Sequence, residues 1–259
     1  DTRGTLFFDI QRILVAHRPR MFLLENVKQL RGHDKGRTLS TILSILRGEH
    51  TELLLNLEIS AEAKNALTRK LNYWVDYKVL RSSDFGVPQN RERVYIVGFD
   101  KDFYGSMDFE NLFTWPSPLG VPTSVRQILQ SHNEIAEKYT ISQRLLDGHE
   151  RRKREHRARG NGFGFSLFKP DDRYTNTISA RYYKDGSEIL IDQSDIDRRP
   201  RKLTPRECAR LQGYPEEFIV DAVSDAQAYR QFGNSVSVPV VQSIASQMLQ
   251  FDKSTHHMA

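Results

Sequence analysis

The sequence predicts an α/β protein: a sheet flanked by helices, followed by a small, irregular domain of mixed α and β structure. Three observations predict it. Apolar residues recur at helical spacing near the start, with Leu6, Phe7, Ile10, Ile13 and Leu14 on one stripe. Short apolar runs at Met21–Leu24, Tyr73–Leu80 and Val94–Phe99 alternate with helix-like stretches, which reads as βαβ units and a parallel sheet. From about Trp115 the texture changes. Pro116, Pro118 and Pro122 mark a linker, and the chain onward to about residue 200 is rich in Arg, Gly, Tyr and Asp.

Each element follows from local chemistry. The run from Met21 is too short for a helix and is bounded by charge. A second amphipathic helix is expected around Thr38–Leu46, and residues 49–71 read as a helical insertion. Val94–Phe99 lacks polar alternation, so it is expected to be buried on both faces. Asn161-Gly162-Phe163-Gly164-Phe165 reads as a flexible turn carrying aromatics. Thr177–Tyr183 and Glu188–Ile191, joined through Lys184-Asp185-Gly186, read as a hairpin with Asp-Gly at its turn. Thr204, with Pro205 next and Glu207 three residues on, is a capping box opening a helix through Gln212. Val238–Leu249 is apolar at helical period. The division that results is 1–119, 120–200 as a smaller domain, and 201–259 returning to the first.

Composition narrows the function classes. Of 259 residues, 38% are hydrophobic and 27% charged, a globular balance without a run of membrane-spanning length. No secretory signal pattern opens the sequence, so a cytoplasmic protein without a membrane partner is expected. One cysteine, Cys208, excludes an internal disulfide and any multi-cysteine metal site. Net charge is +5, and residues 151–159 (RRKREHRAR) hold six Arg or Lys against one Glu. Such a run is a solvated helix face or a phosphate-binding surface. On the second reading Arg151, Arg152, Arg154, Arg157 and Arg159 contact DNA.

Four stretches carry possible chemistry. In Phe22-Leu23-Leu24-Glu25-Asn26-Val27 a carboxylate stands at the end of a buried strand, where open α/β sheets bind ligands; it could equally cap the next turn. In Gln89-Asn90-Arg91-Glu92-Arg93 two guanidinium groups at alternate positions suit a phosphate or base edge, or a salt-bridged strand start. The third is Arg201-Lys202-Leu203-Thr204-Pro205-Arg206-Glu207-Cys208-Ala209-Arg210-Leu211-Gln212-Gly213-Tyr214-Pro215. In the fourth, Gln231-Phe232-Gly233-Asn234-Ser235-Val236, a Gly-Asn-Ser turn offers backbone and side-chain amides to a polar ligand, or simply starts a helix.

These blocks, in this order and preceded by Asp1-Thr2-Arg3-Gly4-Thr5-Leu6-Phe7-Phe8-Asp9-Ile10, resemble the DNA (cytosine-5)-methyltransferase family over nearly the whole chain. The resemblance implies a partial Rossmann-like methyltransferase domain whose first strands are absent, plus a target-recognition domain at 120–200. It implies that Glu25 bonds N3 and the exocyclic amine of a flipped cytosine, that Arg93 reaches O2, and that Arg91 holds the site and nearby backbone. Leu6, Asn234 and Ser235 would contribute to an S-adenosyl-L-methionine pocket. Double-stranded DNA is the implied partner.

The family's chemistry accounts for these residue types. Cytosine C5 is a poor nucleophile, so a thiolate adds to C6 and the resulting enamine attacks the methyl sulfonium. Charge then builds on N3 and O2, where a protonated Glu25 and Arg93 would stabilise it. The base must leave the duplex to be reached. The family's Pro-Cys loop, which carries the thiol, is not in this sequence. Cys208 lies in a helix-forming stretch and reads as a small buried hydrophobe. A missing N-terminal segment or a complementary subunit is therefore an expected partner, and the chain alone is expected to be inactive. An uncovered sheet edge and apolar face should make it dimerise, aggregate or bury that face against something else.

The stretch Ala158–Phe165 with Thr177–Asp192 resembles the recognition region of bacterial enzymes that methylate the inner cytosine of CCWGG, with CCNGG the nearest rival. Arg181, like Arg159, is then a guanine reader. Two other readings remain open: a DNA-binding module without chemistry, and a subunit that completes a split enzyme.

Overall fold

The computed structural model describes residues 2–49, 61–162 and 164–256. Phe163, most of the first half of the 49–71 insertion and the final His257-Met258-Ala259 lie outside the described residues. The chain divides into two compact units, residues 1–80, 92–116 and 243–259 in one, and 81–91 with 117–242 in the other.

In the first unit, helix α1 (Thr2–His17) leads to strand β1 (Met21–Val27), followed by α2 (Arg37–Arg47) and α3 (Ala61–Thr68). Strand β2 (Tyr73–Arg81) begins here, and β3 (Glu92–Asp100) belongs to it wholly. Two single turns, α4 (Lys101–Tyr104) and α5 (Phe109–Leu112), come next. Sheet order is β1-β3-β2. β1 and β3 run antiparallel in unbroken register from Met21↔Phe99 to Val27↔Arg93. This corrects the all-parallel sheet expected from the sequence. Alternation of helices and strands fixes the fold class but not the direction of a strand inserted between two others. The expectation for Val94–Phe99 holds, since its apolar side chains are at most 3% exposed.

The core of this unit packs Leu14, Leu43 and Leu46 from the helices onto Phe22, Tyr73, Val75, Val94 and Ile96 from the sheet. Phe22 lies flat over Gly98, its cross-strand partner. A Cβ at 98 would sit 2.2 Å from the ring. On the same unit Phe99, Trp74, Phe109 and Phe251 form an aromatic cluster, with Phe99 and Phe251 centroids 4.3 Å apart. β1 is an edge of the described sheet, and Leu6 (64%) and Ile13 (58%) on α1 are exposed.

The second unit contains α6 (Gln143–Ala158), β4 (Leu167–Phe168), α7 (Tyr182–Asp185), β5 (Leu190–Gln193), β6 (Arg198–Lys202), α8 (Pro205–Gln212) and α9 (Asp225–Asn234). Helix α10 (Val238–His256) starts here and ends in the first unit. β5 pairs parallel with β4 and antiparallel with β6. The expected hairpin at 177–191 is absent. Lys184-Asp185-Gly186 closes the one-turn helix α7, with Gly186 left-handed at its C-cap (φ +66). Asp-Gly suits a helix end as well as a hairpin turn, and here Tyr182, fully buried with its hydroxyl donating to Ile189 O, anchors the helical alternative. The Thr204/Glu207 capping box forms as expected, with Pro205 at the first position. One apolar core joins Val125, Ile178, Tyr182 and Ile191 to Leu203, Cys208, Leu211 and Phe232, so residues beyond 200 share the core of those before it.

Candidate active site

Glu25 ends the buried part of β1, and its position on the sheet follows from register. It stands opposite Tyr95, and Arg93 is two residues from Tyr95 on the same strand. Side chains alternate along a strand, so Glu25 and Arg93 share a face as diagonal neighbours, within reach for two long side chains. They meet there. Arg93 Nε lies 3.0 Å from Glu25 Oε1, with the side chains 14% and 26% exposed. The angle is poor for a hydrogen bond, and Glu25 Oε1 is a buried oxygen accepting none. A second Arg93 donor is held by its neighbour's backbone, Nη1 to Glu92 O at 2.9 Å. Beside the pair, Lys28 Nζ contacts Glu92 Oε2 at 2.7 Å, so the charges here are matched locally.

Asn26 Oδ1 accepts from Val27 N at 2.8 Å and turns the chain out of the strand. The 3-10 turns that follow lead through Asp34, Lys35 and Gly36, all left-handed, into α2. Between α1, the end of β1 and α2 lies a pocket of about 500 Å³, lined by Leu6, Phe7, Leu24, Glu25, Asn26 and Thr38 among others. Its walls are mostly aliphatic and aromatic, interrupted by the carboxylates of Glu25 and Asp34, the Arg37 guanidinium, the Asn26 amide and the hydroxyls of Thr38 and Thr41. That composition suits a small ligand with an apolar body and a polar end. Leu6 therefore shares a pocket with Glu25.

Arg91 serves a different purpose from Arg93. It is 3% exposed, and its guanidinium donates to Ile178 O (3.2 Å), Gly233 O (3.4 Å) and Ser235 O (2.6 Å). Those bonds commit both terminal nitrogens to protein carbonyls, and they tie the chain at Ile178 to the C-terminal end of α9. Gln89 assists, donating to Leu211 O and accepting from Ile178 N. Gly233 is required where it stands. A Cβ there would lie 2.2–2.3 Å from backbone atoms of Ser179 and Ala180. Asn234 is exposed, and with Ser235 it lines a second pocket walled by Tyr214, Phe218 and Phe232. Ser235 Oγ is 2.6 Å from Tyr214 Oη. Asn234 and Ser235 thus line a different pocket from Leu6.

The basic run forms the outer half of α6. Arg151, Arg154 and Arg157 are exposed, as is Arg159 at the C-cap. Arg151 and Arg154 make only long contacts within the helix, 3.9 Å to Glu155 and 3.8 Å to Glu150. Arg152 differs: it bonds His149 Nδ1 and lies 3.3 Å from Asp185. Burial holds the His149 imidazole below the usual histidine range, the neutral form that accepts from Arg152. Arg181 is exposed at the start of α7, its N–H donating to Ser179 Oγ.

Cys208 is fully buried, and burial, reinforced by Glu207, pushes its thiol well above the usual range. It has neither the exposure nor the electropositive surroundings of a reactive thiolate. Among the described residues no cluster of His, Cys, Asp or Glu is placed to hold a metal ion, and no helix is long and apolar enough to cross a membrane. Sequence reasoning did not single out the Arg201–Glu207 ion pair or the stacking of Arg230 on Tyr183. Arg201 and Glu207 both belong to the third stretch but nothing in it marks them as partners, while Tyr183 and Arg230 lie outside the four stretches.

The family model described as C-5 cytosine-specific DNA methylase matches residues 1–50 and 56–250. Type II methyltransferase M.NlaX of Neisseria lactamica is 54% identical over 248 residues, covering 96% of this chain and 68% of that protein. Type II methyltransferase M1.ScrFI of Lactococcus lactis subsp. cremoris is 52% identical over 250 residues, covering 96% and 57%. The chain thus spans about 57–68% of the length of these relatives. A solved structure of the Entamoeba histolytica methyltransferase EhMeth superposes with a TM-score of 0.66 at 18% identity, over 98% of this chain and 70% of that one, a likeness of fold.

Proposed function

Because this chain belongs to the C-5 cytosine-specific DNA methylase family, we propose that the protein carrying it transfers a methyl group to C5 of a cytosine extruded from duplex DNA. One observation carries the reading. A carboxyl group and a guanidinium converge on one face at the end of β1, and the carboxylate oxygen between them accepts no hydrogen bond. In this reading the pair is opened by the incoming base. Arg93 turns its donors to O2, and Glu25 takes up a proton and shares it with N3. Both contacts strengthen as charge moves onto the ring, so they lower the barrier more than they tighten binding.

The remaining residues support that geometry. Arg91 fixes the carbonyls of Ile178, Gly233 and Ser235. Leu6 and the apolar pocket beside Glu25 would take the body of S-adenosyl-L-methionine; that cofactor supplies the methyl group when bound. The pocket's combination of apolar walls with charged, amide and hydroxyl groups fits such a ligand. The thiolate that attacks C6 comes from polypeptide outside these residues, since Cys208 is sealed in a core. Residues 120–200 read the sequence, with Arg159 and Arg181 as guanine readers and Arg151, Arg152, Arg154 and Arg157 along the phosphates. The target proposed is the inner cytosine of CCWGG.

The test is transfer of labelled methyl from S-adenosyl-L-methionine by the full-length protein onto duplexes containing CCAGG, CCTGG, CCCGG and CCGGG. Label on C5 of the inner cytosine of the first two alone is the expected result. Label on all four makes the target CCNGG, and no incorporation into any DNA refutes the activity.

A further inference from the structure

Helix α7 is contacted by both α6 and α9 of the second unit. On one side its last residue, Asp185, is held by Arg152 of α6 at 3.3 Å. On the other, α9 packs against it so closely that Gly233 touches the backbone of Ser179 and Ala180, and Arg230, almost one turn earlier on α9, stacks over the Tyr183 ring with its guanidinium carbon 4.4 Å from the centroid. Arg181, Lys184 and Arg230 are all exposed. Among the described residues none of the three has a carboxylate partner. The nearby acids are engaged elsewhere: Asp185 by Arg152 and by Ser187 N at 3.1 Å, and Glu188 by Ser179 Oγ at 2.5 Å. The Tyr183 hydroxyl is held below its usual range, first by hydrogen bonding from Arg230 and then, against partial burial, by the charges of Arg230, Lys184 and Arg181.

We propose that Arg230 and Lys184 form a phosphate-contact site for duplex DNA, with Tyr183 as the platform that orients Arg230. The proposal rests on the reading that this chain acts on DNA, and it extends the DNA surface onto α9, beyond residues 120–200. Contact with the ring and its hydroxyl holds the Arg230 guanidinium at the surface, where its remaining N–H groups can take up phosphate oxygens. Unpaired surface cations next to one another repel, and a polyanion relieves that repulsion while releasing its own counterions. The site differs in kind from Arg181. A phosphate contact carries no sequence information, whereas a base reader does.

Fluorescence anisotropy with the full-length protein, using a CCWGG duplex and a scrambled duplex between 50 and 200 mM salt, separates these roles. For Arg230→Gln and for Lys184→Gln the expected result is a several-fold weaker Kd on both duplexes alike. The slope of log affinity against log salt should become shallower by about one for each variant and about two for the pair. Arg230→Lys should restore most of the slope, and Tyr183→Ala should weaken both duplexes where Tyr183→Phe does not. An unchanged slope, or a loss confined to the CCWGG duplex, overturns the phosphate site while leaving the DNA reading intact. Failure of the unaltered protein to bind either duplex overturns both.

Discussion

Arg201 and Glu207 form a bidentate ion pair, Nη1 to Oε2 and Nη2 to Oε1 both at 2.7 Å, with side chains 1% and 0% exposed. Glu207 also accepts from Thr204 N and Gln130 N, both at 2.9 Å, so one carboxylate fixes β6, the start of α8 and the loop at 130. A buried pair is costly to form, and breaking it strands a charge in the core. Glu207→Gln should therefore lower stability by about 3–5 kcal/mol, read as a fall in the urea midpoint. Loss of less than about 1 kcal/mol would show that water reaches this site.

Gly98 is expected to tolerate nothing larger. With the Phe22 ring 2.2 Å from where a Cβ would be, Gly98→Ala must displace the ring or the strand, at roughly 1–3 kcal/mol. Phe22→Ala alone should cost about 3–5 kcal/mol. In the double variant the alanine at 98 no longer meets a ring, so the two effects should fall short of their sum. Strict additivity in thermal or urea unfolding would contradict the contact.

Cys208 should stay unreactive in the native protein. Its thiol is buried and its ionisation is pushed upward, so raising pH through the ordinary thiol range should not generate thiolate. Labelling by a thiol reagent should be negligible at pH 7 and at pH 9 and complete in denaturant. Native labelling that rises steeply over that interval would place the thiol at the surface.

Much of the fold was legible, and so was the order of the site blocks. α1, β1, α2, β3 and the Thr204–Glu207 capping box are local: periodicity or a few adjacent residues decide them. Pairing direction was not, because an antiparallel β3 between β1 and β2 depends on contacts about 70 residues apart that leave no mark on composition. The 177–191 segment misled because Asp-Gly serves hairpins and helix ends equally, and only the burial of Tyr182 decides between them. For the site, Glu25 and Arg93 were legible as residue types, but their meeting required the register. The separate employment of Arg91 on three carbonyls was not legible as geometry, since two arginines at alternate positions look equivalent in sequence.

An exchange of sequence preference should follow the structural unit. A cut after residue 200 falls inside β6 and severs Arg201 from its strand neighbours. Replacing residues 117–242 with those of a relative of different specificity should move the preferred target to that relative's and keep the protein soluble. Replacing 120–200 alone should lower the urea midpoint. Unchanged preference in the longer exchange would mean the target is read elsewhere.

The account turns on Glu25, and Glu25→Gln in the full-length protein is its most direct test. The side chain keeps its shape and can still contact the base edge, but it cannot deliver a proton to N3 as charge builds there. Single-turnover methylation should slow by about 100-fold or more, while Kd for the CCWGG duplex stays within a few-fold. Equal losses in rate and affinity, or a rate within about 3-fold of the unaltered protein, would contradict a role at the extruded base.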